Sequence, residues 1–387
     1  MRKQTKLVAV LSTAALLAIG ASMTSFAATG WAEEDGTWVY YNRDGERATE
    51  QWKKSGNNWY WLNSDGEMAI DELIQDGDNY YYVDINGVMA ANQWVAIDNE
   101  DAGQDDEPDH YWYYFQANGK AYKQGDNSDV ALKTINGKKY AFDQYGAMVA
   151  EWSVDADKKP STSSTASIST AEEQAKYSQA WRYYNSVEDG ARVSKGWFKV
   201  VSAELLNEEK YNDDEDAWYY ADGSGHLYAG EFKTIKGKKY AFRNDGRMLT
   251  GLKFILEDDD GTSLDVIADD DDTFNFDNED DFDLHAPMFE AAGYYCYYFG
   301  NGDDGAMRTN KNPVEIDGDK YNFYFEKSGG HKGAGLTGEK DDKFYQSGKL
   351  ITAGKDEKYQ VVKRTDKSTN TTAASKYTYS KLDDVKE

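Results

Sequence analysis

Short aromatic triplets alternate with polar turn residues along most of the chain. Trp38-Val39-Tyr40, Trp59-Tyr60-Trp61 and Tyr80-Tyr81-Tyr82 open the series. Tyr111 to Tyr114, Tyr140-Ala141-Phe142, Trp181 to Tyr184, Trp218-Tyr219-Tyr220, Tyr240-Ala241-Phe242 and Tyr297-Tyr298-Phe299 continue it. A leading aromatic precedes many triplets, as Trp31, Trp52, Trp94, Trp152 and Trp197 do. A turn glycine follows, and Gly45, Gly66 and Gly87 are each 21 residues apart. Aromatic residues favour a pleated strand, and Asp-Gly or Asn-Gly favours a tight turn, so each unit predicts a β-hairpin. Side chains alternate along a strand, so Trp59 and Trp61 share one face and Tyr60 takes the other. One hairpin cannot bury an aromatic face alone, but a stack of hairpins can. The pattern predicts an all-β solenoid of stacked β-hairpin repeats of about 20 residues over 30–362.

The two ends break the pattern. Arg2, Lys3 and Lys6 precede an apolar run from Leu7 to Ile19, and Ser25-Phe26-Ala27 fits a small-x-small cleavage site. Residues 1–27 therefore read as a secretory signal peptide, and the mature form is expected to be secreted with no membrane span. Repeats fill 28–152, a Ser/Thr-rich insert or linker spans 153–180, and a more degenerate array covers 181–362. Residues 363–387 form a polar tail expected to fray.

Charge changes this picture by its location. The 387 residues carry a formal net charge of −27, which argues against a nucleic-acid partner. Four repeats are lengthened at one place, between the leading aromatic and the triplet. Three of these inserts, 98–109, 204–216 and 257–283, are acidic and together hold 27 of the 30 excess negative charges of residues 28–387. The repeat framework is close to neutral. The acidic inserts read as solvated, repelling loops, or alternatively as cation-binding ones. The calcium-loop pattern fails on the best candidate, because Gly261 as sixth residue puts Leu256 and Ile267 where oxygen ligands belong.

Catalytic chemistry finds no constellation. The four histidines are scattered, and the single Cys296 sits in an aromatic triplet as a packed thiol. Gly333 to Gly338 matches G-x-G-x-x-G without a strand–helix context. No cofactor or metal set is recognised, and the chain reads as non-enzymatic.

Gly30-Trp31 through Gly45, with its G-W-x(4)-G-x-W-x-Y-Y-x-x-D-G spacing, resembles the choline-binding (cell-wall-binding) repeats of Gram-positive surface proteins. Trp52 to Met68, with W-x(3)-G-x-x-W-Y-W-x(4)-G-x-M, does so too. The resemblance implies choline held in aromatic cages between consecutive repeats, and adhesion to choline-bearing teichoic acid or another cell-wall polysaccharide. It implies one cage from Trp31 and Trp38, closed by the triplet Trp59 to Trp61 and Met68. A second would use Trp52 and Trp59 with Tyr80 or Tyr82 and Met89. A third would use Trp197 and Trp218 with Tyr240 and Met248. Trp94 with Tyr111 or Trp112, Tyr140 and Met148 is a fourth, interrupted by an acidic insert. Related repeats bind glucans, so a glycan-binding module and a surface scaffold with partner-binding acidic loops remain alternatives. Oligomeric state is not legible in the sequence.

Overall fold

The computed structural model describes residues 29–104, 107–125, 130–154, 170–258, 261–267, 276, 278–354, 357–367 and 369–382. The expected signal peptide, and residues 155–169 of the Ser/Thr-rich insert, lie outside the described residues. Contacts divide the chain into two compact units, Met1–Gln93 with Phe115–Lys120, and Trp94–Tyr114 with Ala121–Glu387.

The described residues of the first unit hold three antiparallel hairpins. Hairpin 1 pairs Gly30–Glu34 with Thr37–Tyr41, hairpin 2 pairs Gln51–Ser55 with Asn58–Leu62, and hairpin 3 pairs Glu72–Asp76 with Asn79–Val83. Asp35 and Gly36 turn hairpin 1 at φ 51° and 83°, the doubly left-handed turn that suits the strand twist. Between hairpins the chain loops through an Asx turn, in which the Asn63 side-chain oxygen accepts from the Asp65 and Glu67 N–H groups. The loop then returns to the preceding hairpin. Met68 N–H donates to the Trp38 carbonyl at 2.7 Å, and Met89 N–H to the Trp59 carbonyl at 2.9 Å. The Met68 side chain lies over the next turn glycine, where a Cβ on Gly87 would stand 2.9 Å from its sulfur.

The second unit repeats the scheme. Gln93–Asp98 with His110–Phe115 forms hairpin 4, which begins and ends in the first unit's sequence. Lys133–Ile135 with Lys138–Tyr140 is hairpin 5, and Glu151–Val154 with Trp181–Tyr184 is hairpin 6. Gly196–Val201 with Asp216–Ala221 is hairpin 7, and Glu231–Ile235 with Lys238–Phe242 is hairpin 8. The same backbone link recurs: Met148 N–H reaches the Trp112 carbonyl at 2.7 Å, and Met248 N–H the Trp218 carbonyl at 2.8 Å. The described residues bear out the stacked-hairpin fold class with its insertions.

Three departures from expectation follow. The inserts contain helices: α1 (Ala171–Gln179), α2 (Glu208–Asn212) and α3 (Glu279–Ala291). Each has an N-cap, from Thr170, Asn207 and Asn278, and acidic residues in the first turn, where the helix dipole favours them. After a three-stranded sheet of Leu264–Ile267, Leu252–Glu257 and Tyr295–Tyr298, residues 310–350 form one five-stranded sheet rather than further stacked hairpins. The polar tail does not fray over its described part. Val362–Asp366 and Tyr377–Lys381 pair, Tyr379 N–H donates to Gln346, and Lys381 meets Glu279 at 3.0 Å.

Helix α3 explains this end of the chain. Phe282, Ala286 and Glu290, spaced by four, form its buried face. Lys349 is 2% exposed and lies 2.6 Å from both Glu279 and Asp283. The Glu290 carboxylate accepts from Thr337, Gln346 and Ser347, and burial raises its pKa. Burial also pushes the Cys296 thiol well up, as befits a packed residue.

Candidate functional site

Counting back from each turn glycine aligns the triplets. The first triplet position lies seven residues before Gly45, Gly66, Gly146 and Gly246, which assigns Trp38, Trp59, Lys139 and Lys239 to it. Tyr140 and Tyr240 are therefore middle residues, equivalent to Tyr60 and Tyr81. The leading aromatic pairs across its own hairpin with the third triplet residue, as in Trp31↔Tyr40, Trp52↔Trp61 and Trp197↔Tyr220.

Consecutive hairpins present opposite faces to each other. From hairpin 1 to 2, 2 to 3, 4 to 5, 6 to 7 and 7 to 8, the leading Trp of one meets the middle Tyr of the next. Trp31 lies 5.4 Å from Tyr40 and 5.3 Å from Tyr60, both edge-on. Trp52 lies 5.2 Å from Trp61 and 5.0 Å from Tyr81. Trp94 meets Tyr140 at 4.9 Å and 63°, and Trp197 meets Tyr240 at 4.9 Å and 63°. In the second set the ring against Trp52 is thus Tyr81. Tyr82 packs towards Phe115 and hydrogen-bonds Asp71, and Tyr80 is the first triplet residue of its own hairpin.

Among the described residues one constellation therefore recurs four times: a leading Trp, a first-position Trp, the middle Tyr of the next hairpin, and a Met whose N–H binds the first-position carbonyl. The sets are Trp31, Trp38, Tyr60, Met68; Trp52, Trp59, Tyr81, Met89; Trp94, Trp112, Tyr140, Met148; and Trp197, Trp218, Tyr240, Met248. The leading ring is packed against its neighbours, edge-on in the first set, tilted in the second, and both edge-on and stacked in the third and fourth, as in an aromatic core. The first-position ring is not: Trp59 is 41% exposed, and Trp38, Trp112 and Trp218 are half-buried.

The fourth set opens on a cavity of about 610 Å³ lined by Trp218 and Met248 together with Lys199, Asp216, Arg243 and Asp303. Trp218 Nε1 donates to Asp303 at 2.9 Å, and Lys199 Nζ lies 3.1 Å from the same oxygen. These two partners, led by the indole, hold the Asp303 carboxyl below its usual range. Sequence reasoning missed Asp303, which stands 85 residues from Trp218 in the chain. It left the first closing ring open within the triplet Trp59 to Trp61, where the ring against Trp31 is Tyr60, and it named Tyr80 or Tyr82 where the ring against Trp52 is Tyr81; the count from the turn glycine was the available signal.

Not every junction is open. Trp181 occupies the first position of hairpin 6, yet it is 4% exposed. Tyr177 of α1 stands edge-on to it at 5.9 Å, and Gln179 ties the helix end to the Ala229 carbonyl.

Residues 48–94 match the choline-binding repeat family. No curated protein matches the chain. Among solved structures, the choline-binding domain of Spr1274 from Streptococcus pneumoniae is 33% identical, over 24% of this chain and 95% of that one, at TM-score 0.19. The choline-binding domain of CbpL from Streptococcus pneumoniae is 20% identical, over 58% and 88%, at TM-score 0.34. The modular autolysin LytC from the same organism is 18% identical over 87% of this chain, at TM-score 0.41, and this chain spans 54% of it, about half its length.

Proposed function

We propose that this chain, whose repeats resemble the choline-binding family, is a secreted, non-catalytic cell-wall-binding protein that docks on choline-bearing teichoic acid. The fourfold recurrence of the Trp–Trp–Tyr–Met set, with its first Trp left partly open, carries the reading. Trp31, Trp38, Tyr60 and Met68; Trp52, Trp59, Tyr81 and Met89; Trp94, Trp112, Tyr140 and Met148; and Trp197, Trp218, Tyr240 and Met248 are the residues assigned to the ligand.

A quaternary ammonium has no hydrogen-bond donor and a diffuse charge. Aromatic faces attract it by about 0.5–2 kcal/mol each, more as water is excluded. One such cage is weak. Several cages on one chain, facing a polymer with many cholines, gain avidity of about 10²–10⁴-fold. The acidic inserts oppose close approach of an anionic polymer, and salt screens that repulsion.

The test is retention on a diethylaminoethyl resin at high salt, with elution by free choline. Elution by choline, together with a saturable change in tryptophan fluorescence, is the expected result. Elution by salt alone, with no fluorescence response to choline, overturns the reading.

A further inference from the structure

Hairpin 8 and the three-stranded sheet after it meet with almost the same layout as the four sets. Phe232 takes the leading position, and Tyr297 closes on it at 5.3 Å. Met307 N–H binds the first-position carbonyl at 2.8 Å. Two side chains depart: the leading residue is Phe232 and the first-position residue is Lys239, where the four sets have Trp at both. The Lys239 ammonium lies over the Phe232 ring, 4.3 Å from its centroid. That is closer than any other lysine–ring approach among the described residues; Lys54 over the open Trp59, for comparison, is at 5.8 Å.

The geometry points to a cation cage whose ligand is built in: Lys239 is the resident ammonium of the Phe232–Tyr297 junction and shuts it to external quaternary ammonium groups. The inference rests on the reading that the open junctions take such groups. An ammonium at this distance collects the cation–π attraction that a free ligand would otherwise supply. Being covalently tethered, it does so without the loss of translational freedom that binding costs a free ligand. The site is half-buried; burial, and to a smaller degree Lys332, lowers the lysine's pKa, while the Glu257 carboxylate acts the other way, so the ring and Glu257 both support the ammonium. At the related position 139 no such cage forms, because the leading residue there is Leu132.

Two measurements test this. In the ¹³C–¹H spectrum of the full chain, the Lys239 Cε–Hε signal, assigned by its loss in Lys239→Met, is expected upfield from the Phe232 ring current. It should stay there at choline concentrations that saturate the tryptophan response, and return to the ordinary lysine position in Phe232→Leu. A signal that choline itself shifts back, or one unmoved by Phe232→Leu, overturns the proposal. The second measurement counts bound choline by equilibrium dialysis. Lys239→Trp completes a fifth set and is expected to add one bound choline per chain. An unchanged count in a folded variant overturns it. If the wild type binds no choline at all, the wall-binding reading fails, while the Lys239 signal still reports whether the ammonium sits on Phe232.

Discussion

Trp59 and Trp181 occupy the same strand position, two residues along from the register partner of a leading Trp. In hairpin 2 the strands are joined by a tight turn, and Trp59 keeps 41% of its surface. In hairpin 6 an insert joins them, its last turns form α1, and Trp181 keeps 4%. Val154, Tyr177, Phe198 and Leu206 complete a core around it. The difference teaches that the repeat position decides only which way a side chain points. Whether that side chain is a binding surface or a core residue depends on what the insert brings over it.

Substituting both positions gives the widest separation. Trp181→Ala should cost about 3–5 kcal/mol, the range for emptying a buried indole site. Trp59→Ala should cost about 1 kcal/mol or less, as for an open position. Urea unfolding of the two variants measures this, and equal losses would erase the distinction.

Titration separates the regions next. The inserted end of the chain buries Glu290, whose raised pKa favours the neutral carboxyl in the fold. The folded form then holds a proton that the unfolded form has released. Stability is therefore fullest below the ordinary glutamate value of 4.5 and declines as pH rises through the raised one. Amide exchange across α3 should quicken from acid towards neutral pH beyond its intrinsic pH dependence. Glu290→Gln should flatten that trend, and the amides of hairpins 1–3 should not share it. A common trend in both regions would contradict the assignment.

In binding the order reverses. Trp59→Ala should weaken choline binding at its junction by about 0.5–2 kcal/mol, a factor of roughly 2–30. Trp181→Ala, where still folded, should leave the number of bound cholines unchanged. The smallest effect concerns Asp303. Asp303→Asn removes an exposed carboxylate beside Trp218, whose attraction for a nearby cation is weakened by solvent and salt. Choline binding there should fall by up to about fivefold at low salt and little at high salt. An uncharged isostere of choline should respond to neither change, and an equal response would show that Asp303 acts by shape alone.

Much of this was legible from residue order. The strands, the tight turns, the stacked hairpins and the pairing of a leading Trp with a triplet all follow from local preferences. The placement of Trp31, Trp38, Trp52 and Trp59 in consecutive junctions follows as well. The closing ring was harder to read. Tyr140-Ala141-Phe142 looks like a triplet that starts at Tyr140, and the loop hydrogen bonds shift it by one, since Arg192 N–H binds the Lys139 carbonyl. A one-residue slip exchanges the faces of a strand, so it decides which ring closes which cage. The helices were missed because one insert read as a Ser/Thr-rich linker and the others as charged loops. The contacts that hold them in place, such as Gln179 on the Ala229 carbonyl and Phe282 on Phe323, are supplied by distant residues.

By itself the order of residues determined where each hairpin turns and which side chains share a face, because backbone geometry and side-chain alternation act over a few bonds. Only the tertiary structure decided that Gln179 ties α1 to the Ala229 carbonyl beside Trp181, that Asp303 reaches Trp218 across 85 residues, and that Tyr297 closes on Phe232. Those outcomes depend on how inserts and successive hairpins stack, and stacking is set by packing among residues that no local pattern brings together.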